Sequence, residues 1–73
     1  MRVLAQATLK KATLEALHEI GECQAKDLIP RVEELSDRRG LMSQNIMHIL
    51  RDLEYVGKIE IVKWDYPRIY KVK

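Results

Sequence analysis

Up to Gly57 the apolar residues of this chain recur every three or four positions; beyond it they crowd together and alternate. A period near 3.6 marks amphipathic helices and a period of two marks strands, so helices come first and strands last. Leu9, Thr13, Ala16, Leu17 and Ile20 share one helical face, with Lys11, Glu15, His18 and Glu19 opposite. That predicts a first helix over 8–21, stopped by Gly21. Leu28, Ile29, Val32 and Leu35 predict a second over 25–37, entered through a short connector at 22–24. Pro30 has no N–H to donate, so it requires that helix to start later or to bend. Ser36-Asp37-Arg38-Arg39-Gly40 reads as a turn.

Ser43 is expected to cap a third helix over 43–56, without a capping box because Ile46 stands three positions on. Ile46, Ile49, Leu50, Leu53 and Val56 fall on its apolar side, and Gln44, His48, Arg51 and Tyr55 on the other. The last segment, 58–73, is rich in Ile, Val, Tyr and Trp, with Asp65-Tyr66-Pro67 as a turn in its middle. It predicts a β-hairpin with Ile59, Ile61, Tyr70 and Val72 facing inward. A hairpin alone is barely stable in water, so it must pack on the helices. The fold class is therefore α+β: three helices followed by a two-stranded hairpin, a single domain over 1–73 with 1–7 as an N-terminal extension.

At 73 residues the chain has little core to spare. One cysteine, Cys23, excludes an internal disulfide and a cysteine-based zinc site, and reads as a small half-buried apolar residue. His18 and His48 lie on different helices with no acid or thiol at a ligand spacing, so no metal is expected. There is no glycine-rich phosphate loop, nucleophile elbow or carboxylate pair. No enzymatic activity, cofactor or small-molecule substrate is predicted. No apolar run approaches the ~20 residues that span a bilayer. Segment 1–6 is too short and mixed for a signal peptide. A cytoplasmic protein without a membrane partner is expected.

The net charge of +2 is unevenly placed. Residues 1–35 hold five basic and six acidic side chains, whereas 36–73 hold eight and five. A basic C-terminal half points weakly to a polyanion. A helix fits the DNA major groove, where Ser, Gln, Asn and Arg side chains bond to base edges. The candidates for base contact are Ser43, Gln44, Asn45 and His48 at the start of the third helix, with Arg51 one turn on. Arg51 is equally placed to pair with Glu33 or Glu54. Candidates for phosphate contact are Arg38 and Arg39 in the turn and Lys58, Lys63, Arg68, Lys71 and Lys73 along the hairpin. Trp64 and Tyr66 are expected to pack against the helices or a partner subunit.

The run Ser-Gln-Asn-Ile-Met-His-Ile-Leu-Arg-Asp-Leu-Glu-Tyr-Val-Gly-Lys-Ile at 43–59, followed by Tyr-Lys-Val at 70–72, resembles the winged helix-turn-helix family of transcriptional regulators. Leu53, Gly57, Lys58 and Ile59 match the exit from that family's recognition helix into its wing. Leu14-Glu15-Ala16-Leu17 and Ile20-Gly21-Glu22 match its first helix. The segment 35–43 is longer than the family's usual tight turn, and the wing tip is short and carries Asp65. The resemblance implies a sequence-specific double-stranded DNA-binding regulator. The apolar residues of Met1-Arg2-Val3-Leu4-Ala5 and the small contact area of one module add the expectation of a homodimer. The alternative is a winged-helix protein–protein interaction module within a larger assembly, favoured by Asp52, Trp64 and Tyr66. Binding of RNA or a single strand through the two aromatics is a third.

Overall fold

A computed structural model of the chain describes residues 8–73. Helix α1 spans Leu9–Ile20. Thr8 caps it, its hydroxyl accepting the Lys11 N–H at 3.2 Å. Ala12, Thr13, Ala16 and Leu17 are buried. Thr13 is tolerated on that apolar face because its hydroxyl donates to the Leu9 carbonyl at 2.8 Å. Ile20, assigned to the same face, is instead 45% exposed. It is the last residue of the helix, and Gly21 at φ 95° turns the chain away there.

Helix α2 spans Ala25–Ser36. Asp27 reaches back to accept the Gln24 N–H at 3.0 Å, an acidic cap at the positive end of the helix. The helix neither starts late nor stops at Pro30. The N–H that Pro30 lacks would have gone to the Lys26 carbonyl, in the first turn. Lys26 and Pro30 are both exposed, so water can bond that carbonyl and the cost of the proline falls. Ser36 is buried with its hydroxyl on the Val32 carbonyl at 2.6 Å. The helix ends one residue earlier than the sequence suggests, because Asp37 adopts φ 57°.

Helix α3 spans Ser43–Tyr55. Its N-cap is Met42 and not Ser43, which is the first helical residue. Asn45 sets this boundary by accepting the Met42 N–H on Oδ1 at 2.9 Å. The reach is from the third helical position back to the residue before the helix, which places the cap at 42. Ile46, Leu50 and Leu53 are fully buried and Ile49 is half-buried. Val56 lies past the last helical turn and is 59% exposed. Gly57, at φ 82°, ends the helix. Its N–H bonds to the Glu54 carbonyl at 3.0 Å and the Lys58 N–H to the Leu53 carbonyl at 2.9 Å. That pair of bonds needs a left-handed residue, which glycine supplies without strain.

The chain then forms strands β1, Ile59–Lys63, and β2, Ile69–Val72, paired antiparallel with Ile59 opposite Val72 and Ile61 opposite Tyr70. Val62 sits in a bulge between Ile61 and Lys63. Ile59 and Tyr70 are buried, and Ile61 and Val72 are half-buried against the core, as the alternation predicts. The connector at 22–24 does more than connect. Cys23 and Tyr70 exchange both backbone bonds, at 3.2 and 2.9 Å, so β2 is paired on both sides. Three helices followed by an antiparallel hairpin make an α+β arrangement of winged-helix topology. One core joins Ala12, Ala16 and Leu17 of α1, Leu28 and Val32 of α2, Ile46, Leu50 and Leu53 of α3, and Ile59 and Tyr70 of the hairpin.

Burial of the Cys23–Tyr70 corner has a consequence for pH. Removal from water, helped by the charge of Asp27, pushes the Cys23 thiol up to about 11. Burial also raises the Tyr70 hydroxyl, partly offset by Arg68. Both groups ionise earlier in the unfolded chain, where a thiol titrates near about 8.5. Stability from this corner is therefore intact below about pH 8.5 and is lost as pH rises towards 11. Denaturant midpoints are expected to fall over that window, and to fall less steeply in Cys23→Ala. A flat profile between pH 9 and 11 refutes this account.

Candidate nucleic-acid interface

Because Ile46, Leu50 and Leu53 turn inward, the opposite side of α3 is left to solvent. Gln44, His48 and Arg51 stand on it, all exposed. Against this side the hairpin forms the second wall of an open groove of about 690 Å³. Helix α3 contributes Ser43, Gln44, Met47, His48, Arg51 and Glu54. The hairpin contributes Ile61, Trp64, Tyr66, Arg68 and Tyr70. A smaller hollow of about 150 Å³ shares Ser43, Met47, Tyr66, Arg68 and Tyr70 with this groove and extends it to Gln24, Ala25 and Lys26 at the start of α2. The starts of two helices thus open beside one hairpin tip.

Arg68 is the organised cation of this groove. Its guanidinium carbon lies 5.3 Å from the Trp64 ring centre and 5.0 Å from that of Tyr66, within cation–π range of both. Its Nε donates to the Trp64 carbonyl at 3.2 Å. Two aromatic rings and a backbone bond hold a charge that would otherwise swing on a flexible stem. Arg68 also lowers the Tyr70 hydroxyl against the larger effect of burial, which raises it. Tyr70 therefore keeps its proton and remains a donor at neutral pH.

The predicted site residues separate into two sets. Ser43, Gln44, His48, Arg51 and Arg68 come together in the groove. Among the described residues Arg51 has no ion-pair partner. Glu33 turns instead to the Leu41 N–H, at 2.9 Å. Asn45 is exposed, but its Oδ1 is spent on the Met42 N–H, leaving the amide NH2 as its outward group. Arg38 and Arg39 are exposed in the turn between α2 and α3. Lys63 is exposed after the bulge.

Lys58 and Lys73 line a separate hollow with Lys11, Glu15 and His18 of α1. Lys71 faces Glu60 across the hairpin and pairs with it at 3.7 Å. Its neighbours in the pairing, Ile61 opposite Tyr70 and Ile59 opposite Val72, point to the other face. The wing's groove-facing charge is therefore Arg68 alone among the hairpin's predicted phosphate contacts. Trp64 and Tyr66 are not buried against the helices: they are 58% and 70% exposed and hold the Arg68 guanidinium over both rings.

Met47, Ile61, Tyr70 and Lys26 also line these hollows without having been singled out for function. Ile61 and Tyr70 read as core from their alternation and serve as both. Lys26 becomes visible only once α2 is seen to begin beside the hairpin.

Among the described residues no helix is long and apolar enough to cross a membrane, and no group of three or more His, Cys, Asp or Glu is placed to hold a metal ion. No known protein family, curated protein or solved structure matches the chain.

Proposed function

We propose that this chain is a winged helix-turn-helix protein that binds double-stranded DNA sequence-specifically and acts as a small cytoplasmic transcriptional regulator. The observation that carries the reading is the groove in which Ser43, Gln44, His48 and Arg51 of α3 face Arg68 of the hairpin. Helix α3 is about 20 Å long and its exposed side is polar, dimensions that suit a major groove about 12 Å wide. Gln44 and His48 offer donors and acceptors to base edges. Arg51 and Arg68 supply charge for the backbone on either side, with Arg38, Arg39 and Lys63 further out. Lys58 and Lys71 stand away from this surface and have the weaker claim to phosphate.

The chain acts as a homodimer in this reading, since one module covers few base pairs. Two copies then read half-sites about one helical turn apart. The segment that motivates dimerisation, 1–5, lies outside the described residues.

Titration of labelled duplexes at increasing salt tests the proposal. Contact with about four phosphates should cost about 100-fold in affinity between about 50 and 200 mM salt. Affinity that stays flat with salt, or no binding at all, overturns it. Exposed Trp64 and Tyr66 beside the apolar Met47 and Ile61 favour the second reading, a protein-interaction module. A chain that ignores duplexes at every salt concentration and runs as a monomer on sizing supports that one.

A further inference from the structure

The hairpin tip is built unlike a phosphate contact. Trp64 and Tyr66 stand one residue apart at the turn, 58% and 70% exposed. Each ring has Arg68 against one face, and the Arg68 bond to the Trp64 carbonyl fixes the arrangement. At that exposure, ring surface not taken by Arg68 remains open to solvent. Between them Asp65 is exposed and carries a negative charge to the end of the hairpin, where it repels a backbone phosphate. A nucleobase meets no such repulsion, and its flat face stacks on aromatic rings whatever its identity. In a continuous duplex those faces are already stacked on neighbouring pairs. The tip therefore suits a base that has left the stack. Trp64 and Tyr66 also line the same groove as Gln44 and His48, so such a base would lie next to duplex held on α3.

We infer that the Trp64–Tyr66 tip stacks an unpaired base, so that the chain prefers DNA in which a duplex adjoins an overhang or a bulge over a continuous duplex. This rests on the duplex-binding reading above. The ring pair supplies the stacking surface, Arg68 keeps it in place, and α3 holds the adjoining duplex.

The experiment compares three DNAs that share one duplex: blunt-ended, carrying a short overhang, and carrying a single-base bulge. The last two separate a terminal base from one extruded within the helix. Trp64 is the chain's single tryptophan, so its emission reports on the tip directly. The overhang or the bulge is expected to bind about 5- to 100-fold more tightly than the blunt duplex, and only the preferred DNA should quench Trp64. In Trp64→Ala the affinity ratio should fall to about one, while Trp64→Phe, which can still stack, keeps most of it. Thermal melting checks that each variant folds, and quenching in the unmodified chain decides the matter if Trp64→Ala does not. Equal affinities with unchanged emission overturn this inference and leave duplex binding standing. A ratio that survives in Trp64→Ala overturns it too. Failure of all three DNAs to bind overturns both readings.

Discussion

Leu50→Ala is expected to destabilise the chain by about 2–5 kcal/mol. Leu50 is fully buried at the centre of the inner face of α3, where one helix seals against the other two and the hairpin. Truncation removes apolar contact and leaves a cavity that rigid neighbours cannot close. A domain of this length has only about 4–11 kcal/mol of stability in total. The substitution therefore removes a substantial share of it, and at the lower end of that range part of the population unfolds at room temperature. Urea denaturation followed by circular dichroism measures the loss. Arg51→Ala, one residue away but exposed and without an ion pair among the described residues, should change stability by less than about 0.5 kcal/mol. A loss below 1 kcal/mol at Leu50 contradicts the core described above.

The second large effect is a contrast between two sides of the groove. Gln44→Ala should reduce discrimination between cognate and unrelated duplexes by about 1–3 kcal/mol, because a base-edge contact is lost. Arg68→Glu should weaken every duplex alike, by about 10- to 100-fold, since a charge-assisted contact is worth about 1.5–3 kcal/mol and is here replaced by repulsion. The salt slope should fall in magnitude by about one for the lost phosphate contact, and further for the added charge. Parallel titrations against the two kinds of duplex read both quantities. If Gln44→Ala weakens all sequences equally, α3 is not the reading element. If Arg68→Glu leaves affinity and slope unchanged, the hairpin does not touch the backbone.

The helices and the hairpin are legible in the sequence because each has a buried face with its own period, and Gly57 marks the change between them. Boundaries are harder to see. The start of α3 depends on Asn45 reaching back to Met42, and Ser43 is a better cap former than Met42 on intrinsic preference. Ile20 and Val56 keep the helical spacing but fall past the packed length, where periodicity carries no information about burial. The candidate site was legible along α3, where one helix presents its residues in order. In the hairpin the basic candidates were legible, Arg68 among them, but not which of them faces α3. Whether Lys71 or Arg68 faces α3 depends on strand register and on the bulge at Val62, and neither is written in composition. The Cys23–Tyr70 pairing joins residues far apart in the chain through backbone atoms alone, so no side-chain pattern announces it.

That pairing also decides what kind of mechanical object the hairpin is. A hairpin tethered only through the chain leaving α3 would be a flap, free to swing about Gly57. With Tyr70 bonded to Cys23 and its side chain in the core, β2 is clamped between the helical body and β1. Rotation of the strands would have to break backbone bonds and expose a buried ring together. Any ligand spanning α3 and β2 therefore meets a fixed gauge, whose width is set when the chain folds and not when the ligand arrives.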